Sequence, residues 1–452
     1  MHSGGGIISL DNAAEFPVRL VESGPAGGAV FAANIAARYG LEKVLSFDMG
    51  GTTAKICLIK DHTPKTSRVF EVARTYRFKK GSGMPISIPV IDMVEIGAGG
   101  GSLAHVDALQ QIRVGPQSAG SEPGPACYGR GGENPAVTDA DLVLGKLDAG
   151  NFAGGSITLD LQASRSALQT SIGSPLKMEV DNAAFGVAEM VDENMANAAR
   201  VHAVENGEDL SEYTMIAFGG AAPLHAGRLC EKLGVDRLLV PPGAGVGSAI
   251  GFLRAPFSFE ATRSVFMRLN EFDAAAIQKL LSELSDEATE FVKSCAPDEP
   301  ISSHYKVYMR YSGQGWEIPI ALTQAQATAP DAEIFKTLFE KDYIALFGRA
   351  VEGLEVEITV WAVNATTKAQ PAGSLEAYSE LTGAETTGER AVFDAAVGEP
   401  VQAGIVERDQ MNTGTSINGP AIIAEDQTTI IVPSSRTAVR QSDGCIDVTL
   451  AS

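Results

Sequence analysis

Residues 44–60, VLSFDMGGTTAKICLIK, decide the fold. An apolar run ends in an acid, two glycines and two threonines, and the chain then alternates as a half-buried strand does. The stretch therefore predicts a β-hairpin around GGTT. Ahead of it, VESGPAGGAVFAANIAARYG (21–40) opens on a Gly/Pro turn and continues as an alanine-rich helix that Gly40 can terminate. Downstream, YTMIAFGG (213–220), PLHAGRLCEKLG (223–234) and VDRLLVPP (235–242) read as strand, helix and strand, with proline in the helix's first turn. GAGVGSAIGFL (243–253) begins a further helix from glycines. Units in that order predict a doubly wound α/β core. Between them lie β segments across 74–114 broken by GAGGGS (97–102), and a turn-rich loop, QSAGSEPGPACYGRGG (117–132). A helix DADLVLGKLD capped by Thr138 or Asp139 follows, then a long helix over 181–206 that Gly207 stops.

After Arg254 the texture changes to an amphipathic helix near 273–294, a strand pair around HYKVYMRYSGQGWEIPI (304–320) and a helix near 331–347, which predicts a separate α+β lobe. Residues 367–390, rich in Thr, Ala, Gly, Ser and Glu, read as a linker or mobile loop, and strands punctuated by GP, PSS and DG turns predict a small β domain over 391–452. The expected division is 1–40 as a connecting helix and its lead-in, 41–255 as the core, 256–366 as the lobe, then linker and β domain.

Composition narrows the function. The formal charge of −21 disfavours nucleic acid and anionic lipid as partners, because counterion release needs a basic surface. An anion such as a nucleotide must then be held by local backbone donors. No apolar run is long enough to cross a bilayer, so no membrane role is expected. The five cysteines are scattered with no CxxC pair, which argues against a zinc ribbon or a disulfide framework and for a reducing, cytoplasmic setting.

Two strand–Gly–Gly elements carry the chemistry. In DMGGTT (48–53) the glycines admit an anion to the backbone N–H groups of Gly50 and Gly51, Thr52 and Thr53 add donors, and Asp48 can hold Mg²⁺ through water. In FGGAAPLH (218–225), Gly219 and Gly220 open a helix whose N-terminus suits a phosphate or sugar. Each alone is also compatible with an ordinary tight turn; one on each side of a cleft is what a split nucleotide site requires. Arg130, between glycines, can reach a phosphate or carboxylate with two donors, or make a surface salt bridge. His105 and His225 lack a spaced ligand partner and read as structural, as does Cys127, which has no His nearby. Glu193 and Asn197 share a helix face at i,i+4 spacing, as an exposed stripe or as a cleft-facing acid.

SGPAGG (23–28), SFDMGGTT (46–53), VEIGAGGGSLAHVD (94–107), VGPQSAGSEPGPACYGRGG (114–132), VTDADLVLGKLD (137–148), ENMANAARVHAVENG (193–207) and AFGGAAPLHA (217–226) together resemble the A-type subunits of the hydantoinase/oxoprolinase family, in register over roughly residues 1–255. The resemblance implies an actin/hexokinase-type (ribonuclease H-like) core. Its ATP, with Mg²⁺, would phosphorylate the carbonyl of a cyclic amide for ring opening, or in ketone carboxylases that of a ketone. It implies Asp48–Thr53 as a phosphate loop, Gly219–Gly220 as the adenosine-side loop, and Gly99, Gly100 and Gly101 lining the cleft, with Asp48 and Arg130 as the catalytic candidates. The family's usual opening domain, with a D-x-G-G-T-x-T-D loop, has no counterpart ahead of SGPAGG. The chain is therefore expected to be a fragment, or a subunit completed by an amino-terminal domain or a B-type subunit; a catalytically silent partner-binding chain is the alternative of another class. Where many relatives carry Thr-Asp after GGT, this chain has Ala54–Lys55, so Lys55 either faces phosphate or is a solvated strand lysine.

Overall fold

The structure is a computed structural model that describes residues 1–73, 81–368, 373, 375–377 and 380–451. Helix α1 (Ser23–Tyr39) starts at the Gly/Pro turn and ends at Gly40, which adopts φ 60 as a left-handed cap. It feeds β1 (Lys43–Met49), which turns through Gly50–Thr53 into antiparallel β2 (Ala54–Lys60). That is the predicted hairpin. Its register sets Lys55 opposite Asp48 and Ala54 opposite Met49. Among the strands that follow are β3 (Met93–Ile96), paired with β2, and the two-stranded β4 (Ser102–Val106) and β5 (Ile112–Ser118). The part of the expected 74–114 β region that covers 74–80 lies outside the described residues.

Helices α2 (Val137–Val143) and α3 (Val180–Glu205) lead to the β6 (Thr214–Phe218), α4 (Ala222–Leu233), β7 (Arg237–Val240) unit and to α5 (Gly247–Arg254). Strands β1, β6 and β7 are parallel neighbours. Helices cover both faces of these strands. Phe218 meets the α1 side, with its ring 5.5 Å edge-on from Phe31, whereas Met215, three residues earlier, meets Cys230 of α4 at 3.6 Å.

The lobe is the expected α+β unit: strands β8 (Ser258–Arg263), β9 (Ile301–Tyr311), β10 (Ile318–Leu322) and β11 (Val356–Thr367) in the order β8-β11-β9-β10, with α6 (Ala274–Cys295) and α7 (Ala332–Phe347). It has its own core, built on Trp361, Phe335 and Phe339. Of the expected 367–390 linker, residues 369–372, 374 and 378–379 lie outside the described residues.

Where a small β domain was expected over 391–452, the strands between Gly388 and Leu450 are built into the main body. Strands β12 (Gly388–Asp394), β13 (Glu399–Glu407), β15 (Ala421–Ala424) and β16 (Thr429–Val432) make one four-stranded sheet, while β14 (Thr415–Asn418), β17 (Arg436–Arg440) and β18 (Ile446–Leu450) extend the central sheet beyond β7. Ile423, Ile430, Ala438 and Val448 join the same core as β1 and β6. Alternation identifies a strand but not its neighbour, because pairing is decided by residues far away in sequence.

The predicted cap of α2 is also different. Ala136 occupies the N-cap position, in extended conformation. Asp139 turns back to accept from Ala136 N at 2.8 Å and, outside the helix, from Cys127 N at 2.8 Å and Ala126 N at 3.1 Å. Thr138 donates its hydroxyl to the Gly100 carbonyl at 2.8 Å. Both residues therefore anchor loops that reach the site.

Candidate functional site

Two glycine loops close on each other at the carboxyl end of β1. Gly100 N–H donates to Gly50 O at 3.0 Å and Gly101 N–H to Gly51 O at 2.6 Å. The approach requires Gly99: a Cβ there would stand 2.7 Å from Gly50 O and 2.8 Å from Thr52 N, both backbone atoms. The hairpin's carbonyls thus face its neighbour, and among the described residues the N–H groups of Gly51 and Thr52 have no protein acceptor. Both residues are exposed, and Gly50 and Gly51 have open space where a Cβ would be. The second strand–Gly–Gly element docks beside the first. Gly219, at φ 96, presses on β1 so closely that a Cβ would strike the Met49 carbonyl oxygen, and Ala221 N–H donates to that same oxygen at 3.0 Å.

A cavity of about 630 Å³ opens over these loops. Gly50, Gly51, Thr52, Gly100, Gly101 and Gly220 form its bare-backbone end. Tyr128, Arg130, Leu147, Phe152 and Ile157 also line it and make a mostly apolar part of the wall, with the Tyr128 and Phe152 rings 5.8 Å apart. The Arg130 guanidinium is exposed; it reaches the Ser121 carbonyl at 3.4 Å and lies 6.0 Å from the Tyr128 ring, and among the described residues no carboxylate pairs with it. The β15–β16 turn supplies Glu425, Asp426, Gln427 and Thr428, and Thr428 donates to Gly220 O at 3.0 Å. Arg408 donates twice to Glu425, at 3.0 Å each. Burial nevertheless holds the Glu425 carboxyl above its ordinary range, against the pull of Arg408.

The hydantoinase/oxoprolinase profile matches residues 1–261, and the profile of that family's C-terminal domain matches residues 268–442. The chain belongs to the hydantoinase/oxoprolinase family. The alpha subunit of caprolactamase from Pseudomonas jessenii is 31% identical over 437 residues, which is 95% of this chain and 62% of that subunit. The crystal structure of the ATP-dependent caprolactamase from the same organism shares the mixed α/β fold with a TM-score of 0.83 at 29% identity, over 96% of this chain and 62% of that one. The nucleotide-free structure of acetone carboxylase gives a TM-score of 0.76 at 27% identity, over 100% of this chain and 64% of that one. The chain therefore spans less than two thirds of the length of these relatives.

Within this hydantoinase/oxoprolinase chain the sequence-derived site residues divide. Gly50, Gly51, Thr52, Gly100, Gly101, Gly220 and Arg130 meet at one cavity. Gly99 and Gly219 lie behind it as close-approach positions. Asp48 points to the other face of β1, toward α5, where Ser248 Oγ donates to it at 3.3 Å. Burial raises its carboxyl above the ordinary carboxylate range, against the neighbouring Lys55 charge and the Ser248 bond. Lys55 is a half-buried strand lysine outside the cavity lining: its ammonium donates to Thr53 Oγ1 at 2.7 Å and lies 3.7 Å from Glu95. His105 is exposed on β4, away from the cavity. Cys127 is buried, and burial beside Asp139 pushes its thiol far up, so it is no thiolate nucleophile. Glu193 and Asn197 both accept from Arg200 at 2.9 Å on the surface of α3.

His225 is wholly buried, with its Nδ1 2.8 Å from Asp192 and its Nε2 3.1 Å from Asp141. Burial alone would lower its pKa, but the two carboxylates outweigh it and raise it to about 9. Asp141 lines the cavity and also accepts from Lys146 at 2.9 Å. Sequence reading noticed His225 but not its pairing with Asp141 and Asp192, nor Lys146 and the 425–428 turn. Asp141 and Lys146 are near neighbours, but Asp192 and His225 come from other segments, and nothing local marks an acid as buried.

Among the described residues no helix is long and apolar enough to cross a membrane.

Proposed function

We propose that this chain contributes one wall of an ATP site of actin/hexokinase type, in an enzyme that uses ATP to phosphorylate the carbonyl of a cyclic amide for ring opening. The observation that carries the reading is the pair of free, exposed N–H groups at Gly51 and Thr52. They border a cavity that is also lined by the Tyr128 and Phe152 rings and whose volume is in the range of ligand sites. Phosphoryl transfer is mainly positioning and charge stabilisation, which suits a site made of backbone donors rather than a nucleophile. The Gly51 and Thr52 amides would hold phosphate oxygens, the Gly220 end of α4 would direct its partial positive charge at the same ligand, and Arg130 would bind a phosphate or a substrate oxygen from the cavity wall.

Asp48 fits Mg²⁺: among the described residues its carboxylate takes one long bond, from Ser248, and retains lone pairs for a cation's water shell. The ion, when bound, would supply positive charge beside the glycine turn, from the α5 side of β1 and not from within the cavity. Burial makes the ionised carboxylate of Asp48 costly, so a cation there would have to displace a proton.

The relatives' names support a cyclic amide as substrate, and a ketone as the second reading, since the comparisons include both a caprolactamase and an acetone carboxylase. The shares of 62% and 64% support a site completed by a further domain or by a B-type subunit. Five cysteines, all free, support a cytoplasmic setting.

Calorimetry with Mg-ATP on the chain, on Asp48→Ala and on the chain mixed with a relative's amino-terminal domain tests the ATP site. Binding that Asp48→Ala abolishes is expected, and its absence in every arm would overturn the reading. ATP hydrolysis stimulated by caprolactam, hydantoin or 5-oxoproline, against acetone with bicarbonate, separates the two substrate classes.

A further inference from the structure

The buried charges where α2, α3 and α4 meet are not used by the reading above. Asp141, Asp192 and His225 are 1%, 2% and 0% exposed. Each ring nitrogen of His225 stands within hydrogen-bond distance of a different carboxylate, 2.8 Å to Asp192 and 3.1 Å to Asp141. An ionised carboxylate only accepts, so both nitrogens must carry hydrogen. A neutral ring would turn one lone pair on a carboxylate in an interior without screening. With Lys146 bonded to the other oxygen of Asp141, two positive and two negative groups then cancel. The other charged groups nearby are engaged elsewhere: Glu189 of α3 accepts from Arg228 at 2.7 Å and Lys232 at 2.8 Å, and Arg228 also bonds Glu231 at 2.9 Å.

We infer that His225 is a positioning residue, held as an imidazolium that ties α2 to α4 and thereby fixes the gap between the Gly100–Gly101 wall and the Gly220–Leu224 wall of the cavity. The links are continuous. Thr138 N–H and Oγ1 donate to Gly100 O at 2.7 and 2.8 Å, and α2 runs from Thr138 to Asp141 in one turn. From the ring, α4 runs back through Leu224 to Ala221, whose N–H holds Met49 O at 3.0 Å. Asp192 braces the ring from α3. Removing the charge frees both walls without touching a cavity atom other than Asp141. The consequence for nucleotide binding rests on the proposed ATP site; the protonation and the wall rigidity do not.

The test uses ¹⁵N-histidine-labelled protein, hydrogen exchange of peptides spanning 97–104 and 218–226, and Mg-ATP calorimetry, on wild type, His225→Gln and His225→Gln with Asp192→Asn. One of the six histidines should show two protonated ring nitrogens from pH 6 to about 8, and His225→Gln should remove that signal. His225→Gln should speed exchange in both peptides and weaken ATP binding by about tenfold, the worth of one charge-assisted bond. The double variant, which restores charge balance, should recover most of both. If His225→Gln does not fold, wild type carried from pH 7 to about 10 makes the same comparison of exchange. An ordinary titration near pH 6.5, or unchanged exchange at both walls, would overturn the inference. If the wild type binds no nucleotide while the imidazolium signal and the exchange effect appear, the ATP reading fails and the positioning role stands.

Discussion

Replacing Gly99 with alanine should open the seam between the two glycine loops. The added Cβ would stand 2.7 Å from Gly50 O, 2.8 Å from Gly51 C and 2.8 Å from Thr52 N, none of which belongs to a side chain that can swing away. Restoring ordinary contact requires the loops to part by about 0.6 Å, which stretches the Gly100-to-Gly50 and Gly101-to-Gly51 hydrogen bonds toward the limit of useful geometry. Overpacking of this kind costs about 1–3 kcal/mol. Two weakened bonds add about 1 kcal/mol each, and the gain from a stiffer unfolded chain returns roughly 0.5 kcal/mol. A net loss of about 3 kcal/mol should lower the melting midpoint by about 3 °C in a chain of this size. Gly51→Ala is the matched control, because its Cβ meets nothing within 4 Å. It should leave the midpoint within about 1 °C, yet weaken Mg-ATP binding, since the methyl projects from the turn whose N–H groups meet phosphate. Differential scanning fluorimetry and calorimetry read both quantities. A Gly99→Ala protein with unchanged melting and unchanged affinity would refute the idea that the seam shapes the site.

The remaining predictions concern charge and backbone. Asp48→Asn should abolish Mg-ATP binding while leaving stability unchanged or slightly higher, because burial already raises this carboxyl and its ionised form is a cost to the fold at neutral pH; a fall in melting midpoint would contradict that sign. His225 has a folded-state pKa of about 9 against 6.5, so its contribution is complete below about pH 6.5 and disappears as pH rises through 9. Urea unfolding between those limits should lose about 3 kcal/mol, and His225→Gln should flatten the slope. Arg408→Met should cost about 3 kcal/mol or more, because it strands the half-buried Glu425 on the cavity wall and leaves the Val240 and Gly444 carbonyls without this donor; adding Glu425→Gln should recover only the part due to Glu425 in thermal melts.

The hairpin, its glycine turn and the β6-α4-β7 unit were all legible, since period, turn chemistry and helix stops are written within about ten residues of each other. DMGGTT pointed to an anion loop, and its turn does present unpaired N–H groups. Lys55 was left open between two roles because its partners depend on the fold: the hairpin sets it opposite Asp48, and it is half-buried between Thr53 and Glu95. Thr138 and Asp139 have the composition of a helix cap, but Gly100, Ala126 and Cys127 compete for the same side-chain atoms once the loops are folded over them.

The sequence by itself determined the hydantoinase/oxoprolinase membership, the glycine loops, the mixed α/β core and the α+β lobe. Tertiary structure alone decided that Asp48 turns to the α5 face while Gly50, Gly51 and Thr52 line the cavity, that the last strands extend the central sheet, and that Asp141, Lys146, Asp192 and His225 form one buried set. The reason is range: backbone preference and turn chemistry act between neighbours in the chain, whereas sheet pairing and the pairing of buried charges are settled only when separate segments of the chain exclude water together.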